Sequence, residues 1–269
     1  MIILGLVLAG AMGILLGMLG GGGSILTVPI LVYVLGVPQD SAPSYSLLVV
    51  GVASLIGSVQ YIRQRQFSLP ASMIYGIPSM LAVFFNQAFL RPWIPDQLLI
   101  LGHLISKGTL LMVLFAVMML LAAWSLIRKK SRKKPNAVNV DGSPGLEPMK
   151  IVAAGLAEGM LTGLVGAGGG FIIVPALVTV AKLPMRIAVG TSLIVMAVKS
   201  LVGFTGALHD LKVDWTLLAP FTAIAVVGIL FGARFSRKVP AARLKQLLGW
   251  FILVMGTFIV MKTIWDAQR

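Results

Sequence analysis

The chain has 269 residues, 58% of them hydrophobic and only 11% charged, with 30 glycines and a mean hydropathy of +0.99. A water-soluble domain carries about 25% charged residues, and there are too few polar side chains here to cover a water-facing surface, so the solvent for most of the chain is lipid. The net charge of +14 does not indicate nucleic acid, because eleven of the 22 basic residues lie in Arg128 to Lys134 and Arg234 to Lys245, between long apolar runs, as in the cytoplasmic loops of membrane proteins.

In chain order, apolar stretches run over 2–35, 43–62, 69–90, 108–127, 151–181, 187–208, 215–233 and 246–264, where about 20 residues suffice to span a bilayer as helix. The N-terminus is apolar from Met1 without the basic region of a signal peptide, and is read as retained structure. The first and fifth stretches are over 30 residues long and are interrupted by Gly20-Gly21-Gly22-Gly23 and Gly166-Ala167-Gly168-Gly169-Gly170. Sliding the chain on itself by 146 residues superimposes Gly17 on Gly163, Gly20 on Gly166, Gly22 on Gly168, Gly23 on Gly169, Pro29 on Pro175, Pro38 on Pro184, Ser46 on Ser192 and Gly57 on Gly203. Glycines and prolines do not keep one register by shared apolarity, so the chain divides into two homologous halves, 1–127 and 151–269. The segment 128–150 opens with six basic residues at 128–134, continues with Pro135, Gly142, Pro144, Gly145 and Pro148, ends at Lys150, and reads as a basic cytoplasmic linker.

If each long stretch crossed the membrane, each half would have four spans and both would point the same way. If each turned back at its glycines, each half would have three spans plus a hairpin, and the halves would be inverted. With the linker inside, the first arrangement puts 12 basic residues inside and nine outside, and the second puts 16 inside and five outside. The positive-inside bias therefore predicts an all-α integral membrane protein of two inverted repeats, each a re-entrant Gly-rich helix hairpin plus three transmembrane helices, with both termini outside.

Inverted repeats with broken helices are the architecture of secondary transporters, whose substrates sit near the midplane where half-helices end. Downstream of the glycine clusters, half-helices begin near Ser24 and Phe171. Their N-termini carry unpaired N–H groups and a partial positive charge, which favours an anion. Gly21, Gly22, Gly23, Ser24, Gly168, Gly169 and Gly170 are accordingly candidate substrate contacts, and the expected cargo is a small anion. The four-residue spacings Gly13/Gly17, Gly155/Gly159 and Gly159/Gly163 read instead as helix-packing faces. Neither glycine cluster is followed by Lys-Ser/Thr, which excludes a phosphate-binding P-loop.

Lys199 and Glu158 are ionisable groups within apolar stretches, where charge is costly and by default functional. Lys199 would add positive potential to the anion site, with Glu158 balancing it or taking up a proton; the alternative is a structural ion pair. Their 146-residue counterparts are Ala53 and Met12, so such a site is asymmetric. Ser46, Thr191 and Ser192 recur at equivalent places within Ser44-Tyr45-Ser46 and Gly190-Thr191-Ser192, and their hydroxyls would donate either to the anion or to their own helix carbonyls. Asn86, Gln87 and Gln60 are isolated polar residues near span ends. Tyr61, Trp93, Trp215 and Trp265 suit an interfacial aromatic belt, and no role is assigned to His103 or His209. With no cysteine and two histidines, neither metal nor cofactor is expected.

At Gly17 through the four glycines and Ser24 to Pro29, at Gly163 through Gly168-Gly169-Gly170 to Pro175, and at Ala188-Val189-Gly190-Thr191-Ser192, the sequence resembles the TauE/SafE sulfite exporter family. The resemblance covers essentially the whole chain. It implies a multi-pass permease of a bacterial or archaeal cytoplasmic membrane that exports sulfite or organosulfonates such as sulfoacetate. Three classes of function compete: an anion carrier driven by membrane potential or proton exchange, an anion channel, and an intramembrane enzyme. No HExxH, GxSxG or paired intramembrane carboxylates occur, so an enzyme is not expected. The expected partners are the anion, the bilayer and protons. Homodimers are common among such transporters, but no interface is marked, and no nucleic-acid partner is expected.

Overall fold

A backbone in lipid has no water to bond with, so a crossing chain satisfies its own N–H and C=O groups by coiling into helix. The computed structural model describes residues 2–90, 148–165, 168–207 and 213–236, with scattered positions in 93–124 and 239–261. Its helices are α1 (Ile2–Leu19), α2 (Ser24–Pro29), α3 (Ala42–Arg63), α4 (Leu69–Phe85), α5 (Pro148–Val165), α6 (Gly170–Thr179), α7 (Met185–Ala207) and α8 (Trp215–Phe235). Pro29 lacks the N–H an α-helix needs, and from Ile30 to Val34 α2 continues as a π-helical turn; α4 likewise extends over Asn86–Leu90. Late in the first half, β1 (Gln97–Ile100) pairs antiparallel with β2 (His103–Ser106), with Gln97 opposite Ser106. Segments 108–127 and 246–264 fall only on scattered described positions. The linker over 128–147, Gly166, Ala167, His209, Trp265 and most of the basic cluster at 234–245 lie outside the described residues.

Among the described residues, five helices are long and apolar enough to cross a membrane: Ile2–Leu19, Ala42–Arg63, Leu69–Leu90, Met185–Ala207 and Trp215–Phe235. Large apolar side chains such as Val7, Leu81, Phe85, Val227 and Phe231 point outward, as expected where the surroundings are hydrocarbon.

The 146-residue offset holds at the level of elements. Displaced by that amount, Ile2–Leu19 falls on Pro148–Val165, and Ser68, the N-cap of α4, falls on Asp214, the N-cap of α8. Each of these side chains accepts a hydrogen bond from its helix's first turn, Ser68 from Ala71 N at 3.4 Å and Asp214 from Thr216 N at 3.0 Å.

Packing repeats the same relation. α1 lies against α8 while α5 lies against α4, and α3 crosses α7 at the centre. A Cβ at Gly13 would overlap the carbonyl oxygen of Ala225, and one at Gly159 would overlap that of Ser79, itself the offset counterpart of Ala225. Gly155 similarly faces the Tyr75 carbonyl, 2.5 Å from where a Cβ would sit. These glycines bring backbones together, which matters in lipid because apolar burial gives helices no reason to associate there.

Candidate functional site

Both glycine clusters turn the chain through backbone conformations that other residues adopt rarely. Gly20 and Gly21 have φ of 64° and 138°, and Gly168 and Gly169 have φ of 64° and 69°. After the first turn the chain runs back along α1: Gly23 packs on the backbone of Met12 and Leu16, and Leu35 reaches Gly5. The second turn ends in a true helix start, with the Gly169 carbonyl accepting from Ile172 and Ile173 N–H at 2.9 and 3.1 Å.

The two turns touch. Gly21 lies against the backbone of Gly170, so closely that a Cβ on either would overlap the other's Cα. α7 borders this junction. Gly20 lies 2.7 Å, from its would-be Cβ, to Val189 Cα, and the Ser192 hydroxyl donates to the Gly20 carbonyl as well as to Val189 O at 2.8 Å. Met196 packs on Gly170, and Val50 of α3 packs on Gly168.

Beside Gly169 lies a charged cluster. Lys199 of α7 pairs with Glu158 Oε1 of α5, with both side chains 1% exposed. Glu158 Oε2 accepts from Ser79 Oγ of α4 at 2.6 Å, and Oε1 accepts from Thr162 Oγ1 at 2.9 Å. Thr162 Oγ1 is also 3.4 Å from Lys199 Nζ. A buried charge pair is tolerated in low dielectric only when its remaining hydrogen-bonding capacity is used, and these hydroxyls use it. A Cβ on Gly169 would collide with this pair.

Of the residues singled out in the sequence, Gly21, Gly168, Gly169, Gly170, Ser192, Glu158 and Lys199 are brought to this junction. Gly22 is buried within the first turn, and Gly23 faces α1. Ser24 donates to the Gly21 carbonyl at 2.6 Å, which closes its own turn. Ser46 is fully buried with no hydrogen-bond partner for its hydroxyl. Thr191 points elsewhere: its Oγ1 accepts from Ser68 N at 2.9 Å, where the α3–α4 connection packs on α7. One residue along a helix turns a side chain by about 100°, so Thr191 and Ser192 cannot serve the same neighbour.

Several polar residues prove to be structural. Tyr61, expected at the membrane interface, is 3% exposed; its hydroxyl donates to Gly17 O at 2.8 Å, serving a carbonyl at the end of α1. Asn86 Nδ2 donates to Met160 O within α5 at 2.5 Å, and Gln87 Nε2 donates to Gly163 O near the end of α5 at 2.7 Å. Trp93 and Trp215 are exposed, as an aromatic belt requires. Sequence reasoning missed Ser79 and Thr162, which carry no pattern of their own. It also missed Ser54 and Ser200, although the 146-residue offset pairs them.

Residues 4–259 match the family described as sulfite exporter TauE/SafE. The chain belongs to this family. Among its relatives is a "Probable membrane transporter protein" of Xylella fastidiosa strain 9a5c, 27% identical over 94% of this chain and 93% of the relative. The "Probable membrane transporter protein YdhB" of Bacillus subtilis strain 168 is 26% identical over 87% of this chain and 90% of its own length. A counterpart of the same description in Methanocaldococcus jannaschii is 26% identical over 93% of this chain and 91% of its own. No solved structure matches. Membership makes the protein a multi-pass membrane transporter rather than an enzyme, acting on a small molecule within a lipid bilayer.

Proposed function

We propose that the protein exports small sulfur oxyanions, sulfite or organosulfonates such as sulfoacetate, across the cytoplasmic membrane of a bacterium or archaeon. The anion sits where the two glycine turns meet, with backbone N–H groups of Gly21, Gly22, Gly23 and Ser24 on one side and Gly168, Gly169 and Gly170 on the other. The observation that carries this reading is the contact of Gly21 with Gly170, which places the start of α6 and the start of the α2 segment at one junction. Neutral backbone donors there stabilise an anion without fixing a second charge. The family name supports the sulfur chemistry.

The repeats are inverted, each a re-entrant hairpin plus three spans. The return of Leu35 to Gly5 supports a hairpin in the first half, and the hairpin arrangement places the most basic residues inside. Lys199 supplies positive potential beside Gly169, and its charge is balanced by Glu158 until an anion arrives. Glu158 then takes up a proton as Lys199 turns to the anion, so that little net charge enters the low-dielectric junction. Carried without a proton, an anion is favoured outward by about 2.3 kcal/mol per charge at 100 mV, inside negative; a proton carried with it cancels that charge, and flux then follows the anion and pH gradients instead.

Purified protein in proteoliposomes, with membrane potential and pH gradient set separately, tests this. Saturable sulfite flux with counterflow, inhibited by sulfoacetate, is expected. Non-saturable flux without counterflow would make the protein a channel, and no flux of any sulfur oxyanion would end the substrate assignment.

A further inference from the structure

Two serine stripes border the glycine turns. On α7, Ser192, Met196 and Ser200 follow at four-residue spacing along one face. That face runs along both turns: Ser192 bonds the Gly20 carbonyl, Met196 packs on Gly170, and Ser200 Oγ lies 3.6 Å from the position a Cβ on Gly168 would take. On α3, Ser46, Val50 and Ser54 have the same spacing and are the 146-residue counterparts of the α7 stripe. Val50 borders Gly168 from the α3 side, with Cγ1 2.7 Å from the same would-be Cβ. Nearby, the two helices cross closely enough that a Cβ on Gly51 would stand 3.0 Å from the Leu201 side chain.

Of these hydroxyls only that of Ser192 is engaged. Ser46, Ser54 and Ser200 are each 0% exposed, and their Oγ atoms have no hydrogen-bond partner. Buried hydroxyls are normally satisfied, and helical serines most easily by their own helix carbonyls, as Ser58 is, one turn beyond Ser54, by Leu55 O at 2.7 Å. Ser54 and Ser200 are 146-residue counterparts; Ser200 borders the second turn, and Ser54 stands one helical turn beyond Val50, which borders the same turn.

We propose that Ser54 and Ser200 are the side-chain donors of the anion site, one from each half. Their hydroxyls complete a cradle whose other donors are the backbone N–H groups at the Gly168-Gly169-Gly170 turn. A three-oxygen sulfite or sulfonate head offers an acceptor to each hydroxyl and to the turn together. This inference rests on the sulfur-oxyanion reading above and specifies which side chains hold that anion.

The test is sulfite-flux kinetics in proteoliposomes for the unaltered protein, Ser54→Ala, Ser200→Ala, the double Ala variant, the double Ser→Thr variant, and Ser58→Ala as control. Loss of a hydrogen bond to a charged group should raise KM about tenfold in each single Ala variant, and further in the double, since such bonds are stronger than neutral ones. Maximal flux per inserted protein should hold, the Thr variant should recover most of the affinity, and Ser58→Ala should leave KM unchanged. An unchanged KM in the double Ala variant overturns the inference while unaltered protein that carries sulfite keeps the transport reading. Reduced insertion or maximal flux without a KM change also overturns it, because it marks a packing role. Absence of flux for sulfite, sulfoacetate and sulfate in the unaltered protein overturns both.

Discussion

Beside the second glycine turn the protein buries Glu158, Thr162, Lys199 and Ser79; at the corresponding places beside the first stand Met12, Leu16, Ala53 and Ala225, equally buried and wholly apolar. The neighbours nevertheless correspond: Gly23 lies against the backbone of Met12 and Leu16, and Gly169 against the side chains of Glu158 and Thr162. Glycine turns and close helix crossings are dictated by sterics, and sterics constrain both halves alike. Charge is costly to desolvate, and one ion pair serves a junction that both turns share.

The largest expected effect comes from filling the turns. Gly169→Leu combines a φ of 69° with overlap onto the ion pair, and Gly21→Leu combines a φ of 138° with overlap onto Gly170. Both should abolish sulfite flux, and because the turns meet, the two losses should be equally complete. Normal flux through correctly inserted Gly169→Leu protein would show that the junction holds no substrate.

Next in size is the asymmetry itself. Lys199→Ala or Glu158→Gln alone leaves a buried group without its partner, and Glu158→Gln, which strands the ammonium, should cost about 3–5 kcal/mol of stability in detergent unfolding. The double variant Glu158→Met with Lys199→Ala copies the first half and should recover most of that loss. If the pair is functional, the recovered protein still transports poorly and its flux no longer responds to a pH gradient. Full flux with an intact pH response would reduce the pair to structure.

The smallest effect separates the two N-caps. Ser68→Ala should cost about 1 kcal/mol, independent of pH in the acid range. Asp214 is exposed, and its carboxyl is held below the usual range by hydrogen bonds, first from the Thr216 side chain. A depressed carboxyl pKa means its contribution is present above the unfolded-state value and fades as pH falls through the folded one. Thermal unfolding followed from neutral to acid pH should therefore show Asp214→Ala converging on the unaltered protein, while Ser68→Ala stays displaced.

Much of this scaffold is legible in the order of residues alone. Consecutive glycines are poor helix formers, so the clusters at Gly20 to Gly23 and Gly168 to Gly170 mark breaks between helices. The 146-residue offset pairs Ser46 with Ser192, and applied without preference for named motifs it also pairs Ser54 with Ser200 and Ser68 with Asp214. Thr191 and Tyr61 are misplaced by sequence reasoning for a different cause. Their partners, Ser68 N and Gly17 O, are far away along the chain, and nothing local says which way a hydroxyl on an apolar helix faces.

The sequence by itself determined the lipid solvent, the 146-residue register, the glycine turns and the family, because these follow from composition, backbone sterics and repeated spacing. Only the tertiary structure decided that Gly21 meets Gly170, that Glu158 and Lys199, 41 residues apart, share one ion pair, and that Ser54 and Ser200 are left without partners. A helix apolar on every side carries no stripe to show which face turns inward. In lipid that choice belongs to close packing and polar contacts between helices, which exist only once the helices have met.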